Sequence, residues 1–222
     1  MKRLLLTSAF AMSAFAANAT EINPYVSAKL GYTASGSGKS DVTLSGYKFD
    51  VKFSDTSGFV GNVAGGASFK VHEIIALRGE AEVGYAASKA KKMEVNGIKI
   101  TNIKEATTGT TTLMLNGYAD FGGTEWAGFN PYVGLGVGYG FRKSEVEWIG
   151  GAKDDNSGNG FAYALMTGVS YDVSSSLKAD LGVKYMAINV KDGLEFMDSG
   201  VSRKFDLKSN STTVMLGARY QF

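Results

Sequence analysis

Cysteine is absent from this 222-residue chain, and histidine occurs once, at His72. Without a thiol there is no disulfide, no cysteine nucleophile and no lipidated amino-terminal cysteine. With a single imidazole, catalytic triads, histidine-rich metal centres and most general-base schemes lose a member they need. Proline is nearly missing, at 2 residues, whereas glycine reaches 29 and aromatics 12%, a balance that suits strands joined by tight turns better than helices. Long apolar runs are missing as well. The uncharged stretch from Leu4 to Ala16 falls short of the roughly 20 residues that a membrane-spanning helix needs, and nothing later is long enough either.

That stretch follows Met1-Lys2-Arg3 and precedes Ala17-Asn18-Ala19. A positive start, a short apolar segment and an A-x-A site read as a secretory signal peptide over residues 1–19, cleaved after Ala19. Residues 20–222 then form one domain, with no linker inside it. Lys2 and Arg3 account for the whole excess of 23 basic over 21 acidic side chains. The exported chain is therefore neutral, and its basic precursor says nothing about nucleic acid.

What the chain does have is alternation. Read backwards, every second residue from the end is Phe222, Tyr220, Ala218, Leu216 and Val214, with Gln221, Arg219, Gly217 and Met215 between them. Side chains of a strand point to opposite faces in turn, so this strand has one apolar and one mixed face. Seven earlier strands show the same pattern, starting near Pro24, Phe59, Ile75, Thr111, Pro131, Phe161 and Leu177. None of the eight apolar faces carries Asp, Glu, Lys or Arg. The opposite faces hold Lys29, Lys70, Arg78, Glu80, Glu82, Asp120, Lys178, Asp180, Lys184 and Arg219. A lysine or arginine facing lipid near the midplane costs roughly 2–4 kcal/mol, so this one-sided exclusion predicts an apolar exterior and a polar lumen.

Connection lengths point the same way. The gaps after the second, fourth and sixth strands are short, and those after the first, third, fifth and seventh, from Ala34, Ser88, Arg142 and Ile188, are long. The fold class expected is all-β, an eight-stranded antiparallel up-and-down transmembrane β-barrel with short turns and both termini in the periplasm and four long loops outside. Two long loops contain hairpin patterns. Asn96-Gly97 is a favoured two-residue turn, and Tyr47, Phe49, Val51 and Phe53 alternate with Lys48, Asp50 and Lys52. The second pattern is too short for two further membrane strands, which need about 9–11 residues each.

With these features the chain resembles the small outer-membrane β-barrel family that includes OmpA-like transmembrane domains, OmpX and the opacity porins. Its most telling stretches are Asn130 to Gly140, Gly168 to Asp172 and Leu216 to Phe222. The resemblance implies a bacterial outer-membrane location, surrounded by outer-membrane lipid and lipopolysaccharide. It also implies that Tyr220 and Phe222 act as the signal read by the barrel assembly machinery. It hardly specifies activity, because members serve as adhesins, structural anchors or weak pores. The peptidoglycan-binding domain of full-length OmpA-type proteins does not follow, so that anchoring role is not expected.

Several motifs invite a sharper reading. Gly36-Ser37-Gly38-Lys39-Ser40 resembles the end of a phosphate-binding loop, but Thr33 stands where glycine is required and a strand pattern follows in place of a helix. Gly134, Gly136, Gly138 and Gly140 share one strand face, where they make room for neighbours across a narrow barrel. His72 falls at a periplasmic turn, a bland interfacial position. Lys29, Arg78, Glu80, Glu82, Asp180, Lys184 and Arg219 are expected to pair as a charge network that plugs the lumen, since an interior of eight strands is just filled by side chains. Between Ser88 and Gly109 five lysines face two glutamates. Lys89, Lys91 and Lys92 are therefore a candidate contact for lipopolysaccharide phosphate or a host surface ligand such as a sulfated polysaccharide. The function expected is a non-enzymatic barrel with a structural or adhesin-like role and no cofactor, metal or catalytic residue. The alternative is a narrow porin-like channel for small solutes.

Overall fold

The computed structural model describes residues 22–44, 47–95, 98–100, 103–122, 127–148, 153–192 and 204–222, with side chains over 22–34, 36–37, 57–89, 107–122, 127–143, 157–189 and 208–222. The expected signal segment 1–19 and the Asn96-Gly97 turn lie outside the described residues. Among the described residues there are nine strands: β1 (Ile22–Leu44), β2 (Tyr47–His72), β3 (Ile75–Val95), β4 (Ile98–Ile100), β5 (Ile103–Phe121), β6 (Phe129–Trp148), β7 (Lys153–Asp172), β8 (Leu177–Asp192) and β9 (Lys204–Gln221). Their order is β2-β1-β9-β8-β7-β6-β5-β3-β4, and β2 also pairs with β3. Eight strands therefore close into an antiparallel barrel, and β4 hangs on the edge of β3. Among the described residues no helix is long and apolar enough to cross a membrane.

The register fixes the barrel's shape. From Val26 the paired residues run through Gly65, Ala81, Leu115, Val137, Tyr163, Ala187 and Asn210, and return to β1 at Ser37, eleven residues further on. One residue of that stagger is absorbed by a register shift between Thr33 and Ser35. Such a stagger makes the strands lean and narrows the interior until side chains can fill it.

Sidedness follows the alternation. Leu30 is 75% exposed and Leu216 65%, whereas Arg78 is 3% and Glu80 4% exposed. The exposed belt is bounded by two aromatic girdles. Tyr32 packs edge-on against Phe59 and Tyr139 against Phe141 at one level, with Phe129 beside Tyr171 and Tyr220 beside Phe222 at the other. On β6 the girdles are twelve residues apart, from Phe129 to Phe141. At ~3.3 Å per residue and a lean of ~40° this spans about 30 Å along the barrel axis, the thickness of a bilayer core. Three residues near the short-turn end keep their expected register but not the exposure of their face. Phe69 stands on the belt face opposite Ile22 and Leu77, yet its side chain is buried. Lys70 and Lys178 stand on the inner face, opposite Ala76 and Arg219, but at the barrel mouth Lys70 is exposed and Lys178 half-buried beside Asp172.

The long connections are mostly ladder. Strands of 16 to 26 residues exceed the about 9–11 needed to span. β1 and β2 remain paired up to Leu44 opposite Tyr47, β3 and β4 up to Val95 opposite Ile98, and β6 and β7 up to Glu147 opposite Lys153. The Tyr47 to Phe53 pattern continues β2 and does not add a strand pair to the barrel. Above the girdle, Lys48-Phe49-Asp50-Val51-Lys52 of β2 and Lys204-Phe205-Asp206-Leu207-Lys208 of β9 flank β1 in one register. Lys39 stands opposite Lys52 and Lys208, and Asp41 opposite Asp50 and Asp206. The described ladder between β3 and β5 stops at Ala90 opposite Ala106, and that between β7 and β8 at Gly160 opposite Val190.

Candidate functional site

The lumen is built around the glycine face of β6. A Cβ on Gly134 would sit 2.3 Å from Cδ1 of Tyr118, and one on Gly136 would sit 2.2 Å from Oδ1 of Asn116. The missing side chains are the space that these neighbours fill. Tyr132 reaches the other way, towards Gly168 and Gly182, where added Cβ atoms would lie 2.6 and 2.3 Å from its hydroxyl. Tyr118 and Tyr132 meet edge to face with centroids 5.8 Å apart.

On β3, Arg78, Glu80 and Glu82 follow one another on the inner face, each with its own partners. Arg78 donates from Nε and Nη2 to the two carboxylate oxygens of Asp120, at 2.5 and 2.9 Å. Its guanidinium also lies 4.2 Å from the Tyr118 centroid and 5.3 Å from that of Tyr132. Glu80 accepts from the hydroxyls of Tyr25 (2.9 Å) and Tyr118 (2.7 Å) and from Nδ2 of Asn116 (3.1 Å), with Nζ of Lys29 at 3.9 Å. Glu82 accepts from Lys184 at 2.5 Å and from Asn116 at 3.3 Å. Arg219 donates to Asp180 at 3.3 Å and comes within 3.7 Å of Asp120. Four cations thus meet four carboxylates. A charge out of water is tolerable only when paired and hydrogen-bonded, and each of these has an opposite charge within reach. Oδ1 of Asn116, Oδ2 of Asp180 and Nε of Arg219 are buried with no hydrogen-bond partner among the described residues.

The rest of the lumen holds uncharged polar residues, among them Thr33, Asn62, Thr112 and Thr213, and one apolar cluster. Met114, Met166, Ala162, Ala164 and Ile188 pack with the two tyrosines. Between this cluster and the ion pairs of Lys29, Glu82 and Lys184 remains a void of about 20 Å³, room for roughly one water. A hollow of about 610 Å³ lies at the wall around Gly61, lined by the belt residues Leu30, Val63, Val83, Tyr85 and Leu216 as well as by Lys29 and Asn62.

The structure thus brings together all seven residues of the expected charge network, Lys29, Arg78, Glu80, Glu82, Asp180, Lys184 and Arg219. It adds Asp120, Tyr25, Tyr118 and Asn116. Alternation put Asp120, Tyr118 and Asn116 on the inner face, but nothing in the sequence ranked Asp120 as the main partner of Arg78. Gly36 to Ser40 is part of β1, with no helix after it. His72 ends β2 opposite Ile75 and is exposed. Lys89 is exposed on β3, and Lys91 and Lys92 lie further along that strand. At the chain end, the amide of Phe222 donates to Pro24 and that of Gln221 to Ser176, so the last two residues tie β9 to both its neighbours. Among the described residues no group of three or more His, Cys, Asp or Glu is arranged to hold a metal ion.

Similarities to known proteins agree with this architecture. The model of the outer membrane protein beta-barrel domain family matches residues 3–222. A protein of Rickettsia conorii named "Putative adhesin RC1281" is 30% identical over 152 residues, 64% of this chain and 57% of its own length. An uncharacterised protein of Brucella abortus (strain 2308) is 31% identical over 135 residues, 50% of this chain and 46% of its own length. The chain therefore spans about half the length of the curated relatives it matches. Among solved structures, the outer membrane protein OprG from Pseudomonas aeruginosa superposes with a TM-score of 0.51 at 17% identity, covering 90% of this chain and 95% of its own. A barrel of the right height, apolar outside and charge-paired inside, matched by that model along nearly its whole length, belongs to the outer membrane protein beta-barrel domain family and resides in the bacterial outer membrane.

Proposed function

We propose that the protein is a non-enzymatic surface protein with an adhesin-like or structural role. One observation carries this reading: a lumen filled by paired charges and packed side chains stands beneath strands that run many residues past the outer girdle. Solute passage would require the Arg78, Glu80 and Glu82 pairs to separate, whereas the projecting strands present paired backbone and charged sequence to the outside. A relative named as an adhesin supports the surface role. In this reading residues 1–19 direct export and are cleaved after Ala19, and Tyr220 and Phe222 engage the assembly machinery.

The test compares cells displaying the full chain with cells displaying a barrel whose β1–β2 and β6–β7 projections are cut back to the girdle. Adherence to host cells or to neighbouring bacteria should depend on the projections. A steady conductance of the purified protein in planar bilayers, with adherence unchanged by trimming, would overturn the proposal in favour of a channel.

A further inference from the structure

Above the girdle the described ladders leave the barrel as two walls. One comprises the outer parts of β8, β9, β1, β2, β3 and β4, the other those of β5, β6 and β7. Counting described strand residues beyond the girdle, the first wall carries ten basic and six acidic residues, and the second four basic and five acidic ones. The basic excess is not spread evenly. On β9, β1 and β2 the row Lys208, Lys39, Lys52 is followed two residues on by the row Asp206, Asp41, Asp50, so these rows largely offset each other. On β3 and β4, by contrast, Lys89, Lys91, Lys92 and Lys99 share a short span with Glu94, which stands opposite Lys99 and Lys52, and the neighbouring part of β2 adds only Asp55 at the level of Lys91. On the other wall, Glu145 stands opposite Asp155, and Glu147 stands between Glu105 and Lys153.

We infer that the outer part of β3 with β4 is a binding surface for a linear polyanionic polysaccharide, and this rests on the surface role proposed above. Height separates this ligand from a lipid head group. Lys89 lies four residues and Lys92 seven beyond the girdle residue Tyr85, which at ~3.3 Å per residue and a lean of ~40° places them about 10 to 18 Å above it. Interfacial aromatic rings sit at the head-group level, so lipid phosphates lie below these lysines. Lysines gathered on one wall attract an anionic chain, while the other wall, with no basic excess, offers it no matching charge, which favours the polymer on one side.

The experiment measures binding of the full protein in detergent micelles to heparin, to uncharged dextran and to lipid A vesicles. Salt is raised from about 0.01 M, where charges act over ~30 Å, to about 1 M, where they act over ~3 Å. Heparin should bind at low salt and release at high salt, and dextran should not bind. A variant with Lys89→Gln, Lys91→Gln and Lys92→Gln should bind heparin about tenfold more weakly. The same change at Lys39, Lys52 and Lys208 should have the smaller effect. Heat-modifiable migration on a gel confirms that each variant is folded. No heparin binding at low salt, equal binding by the Lys89 variant, or binding to lipid A vesicles alone overturns the inference. If adherence still depends on the projections in any of these cases, the surface role stands and only the ligand class is wrong.

Discussion

Arg78 reaches Asp120 on the neighbouring strand and not the glutamates two and four residues along its own. Glu80 and Glu82 take their charge partners from β1 and β8, through Lys29 and Lys184. The lumen is therefore sewn across strands, and each bond resists sliding of one strand past another.

Replacing Arg78 with alanine should destabilise the barrel by about 3–5 kcal/mol, because Asp120 is then left with only the more distant Arg219. Thr112→Ala, which removes one buried hydroxyl, should cost about 1 kcal/mol. Urea unfolding in lipid vesicles measures both. The Arg78→Ala, Asp120→Ala double variant should lose less than the two single losses together, and strict additivity would show that the pair is not coupled.

Gly134→Val should impair folding, because the added side chain meets the ring of Tyr118. Gly65→Ala is the control, since nothing lies within 4 Å of the position its Cβ would take. Shortening the ring as Tyr118→Ala should restore folding to the Gly134 variant. Heat-modifiable migration reads all three, and a normal Gly134→Val barrel would mean that the glycine face is not required for space.

Deleting Phe222 removes the amide that binds Pro24 and one member of the Tyr220–Phe222 ring pair. Assembly into the outer membrane should fall while export continues, seen as unfolded protein accumulating in the periplasm. Unchanged assembly would leave Tyr220 as the sufficient part of the terminal signal.

Orientation is tested by access. Epitope tags near Asn96 and Asp154 should be reached by antibody on intact cells, whereas one at Ser174, in the short turn between β7 and β8, should need a permeabilised outer membrane. A third tag at Ser199 extends the test to the last long connection, which lies outside the described residues. Equal access at all sites would contradict the orientation.

How much of this was legible in the sequence depends on which physical quantity is asked for. Facing was legible, because alternation of Leu216 with Gly217 or of Glu80 with Ala81 depends only on the two-residue period of a strand. Pairing was not. Which carboxylate meets Arg78 depends on the register of β5 against β3, which sets Tyr118 opposite Arg78 and Asp120 two residues along, and no residue there announces it. Strand ends are not legible from alternation either. The apolar face of β1 stops near Tyr32, whereas backbone pairing continues through Lys39, Asp41 and Thr43 without needing apolar residues. The tyrosines were visible on the inner face, but that Tyr118 would fill the space of Gly134 required the two strands to be placed side by side.

The rows above the girdle set like against like, with Lys39 between Lys52 and Lys208, and Asp41 between Asp50 and Asp206. Sliding β1 by two residues would keep every side chain on its face and would set Lys39 against Asp50 and Asp206, and Asp41 against Lys48 and Lys204. Opposite charges directly across a ladder are favourable and like charges are not, so the projecting segment, left to itself, prefers the slipped alignment. The same slide would pull Tyr25 and Lys29 away from Glu80 inside the membrane. The native alignment is thus imposed from below, and the projection is a locally frustrated segment held in place by the lumen. The alignment of the projection thus depends on the lumen below it, and a barrel weakened at Glu80 should lose that alignment first in the part that stands furthest from the bilayer.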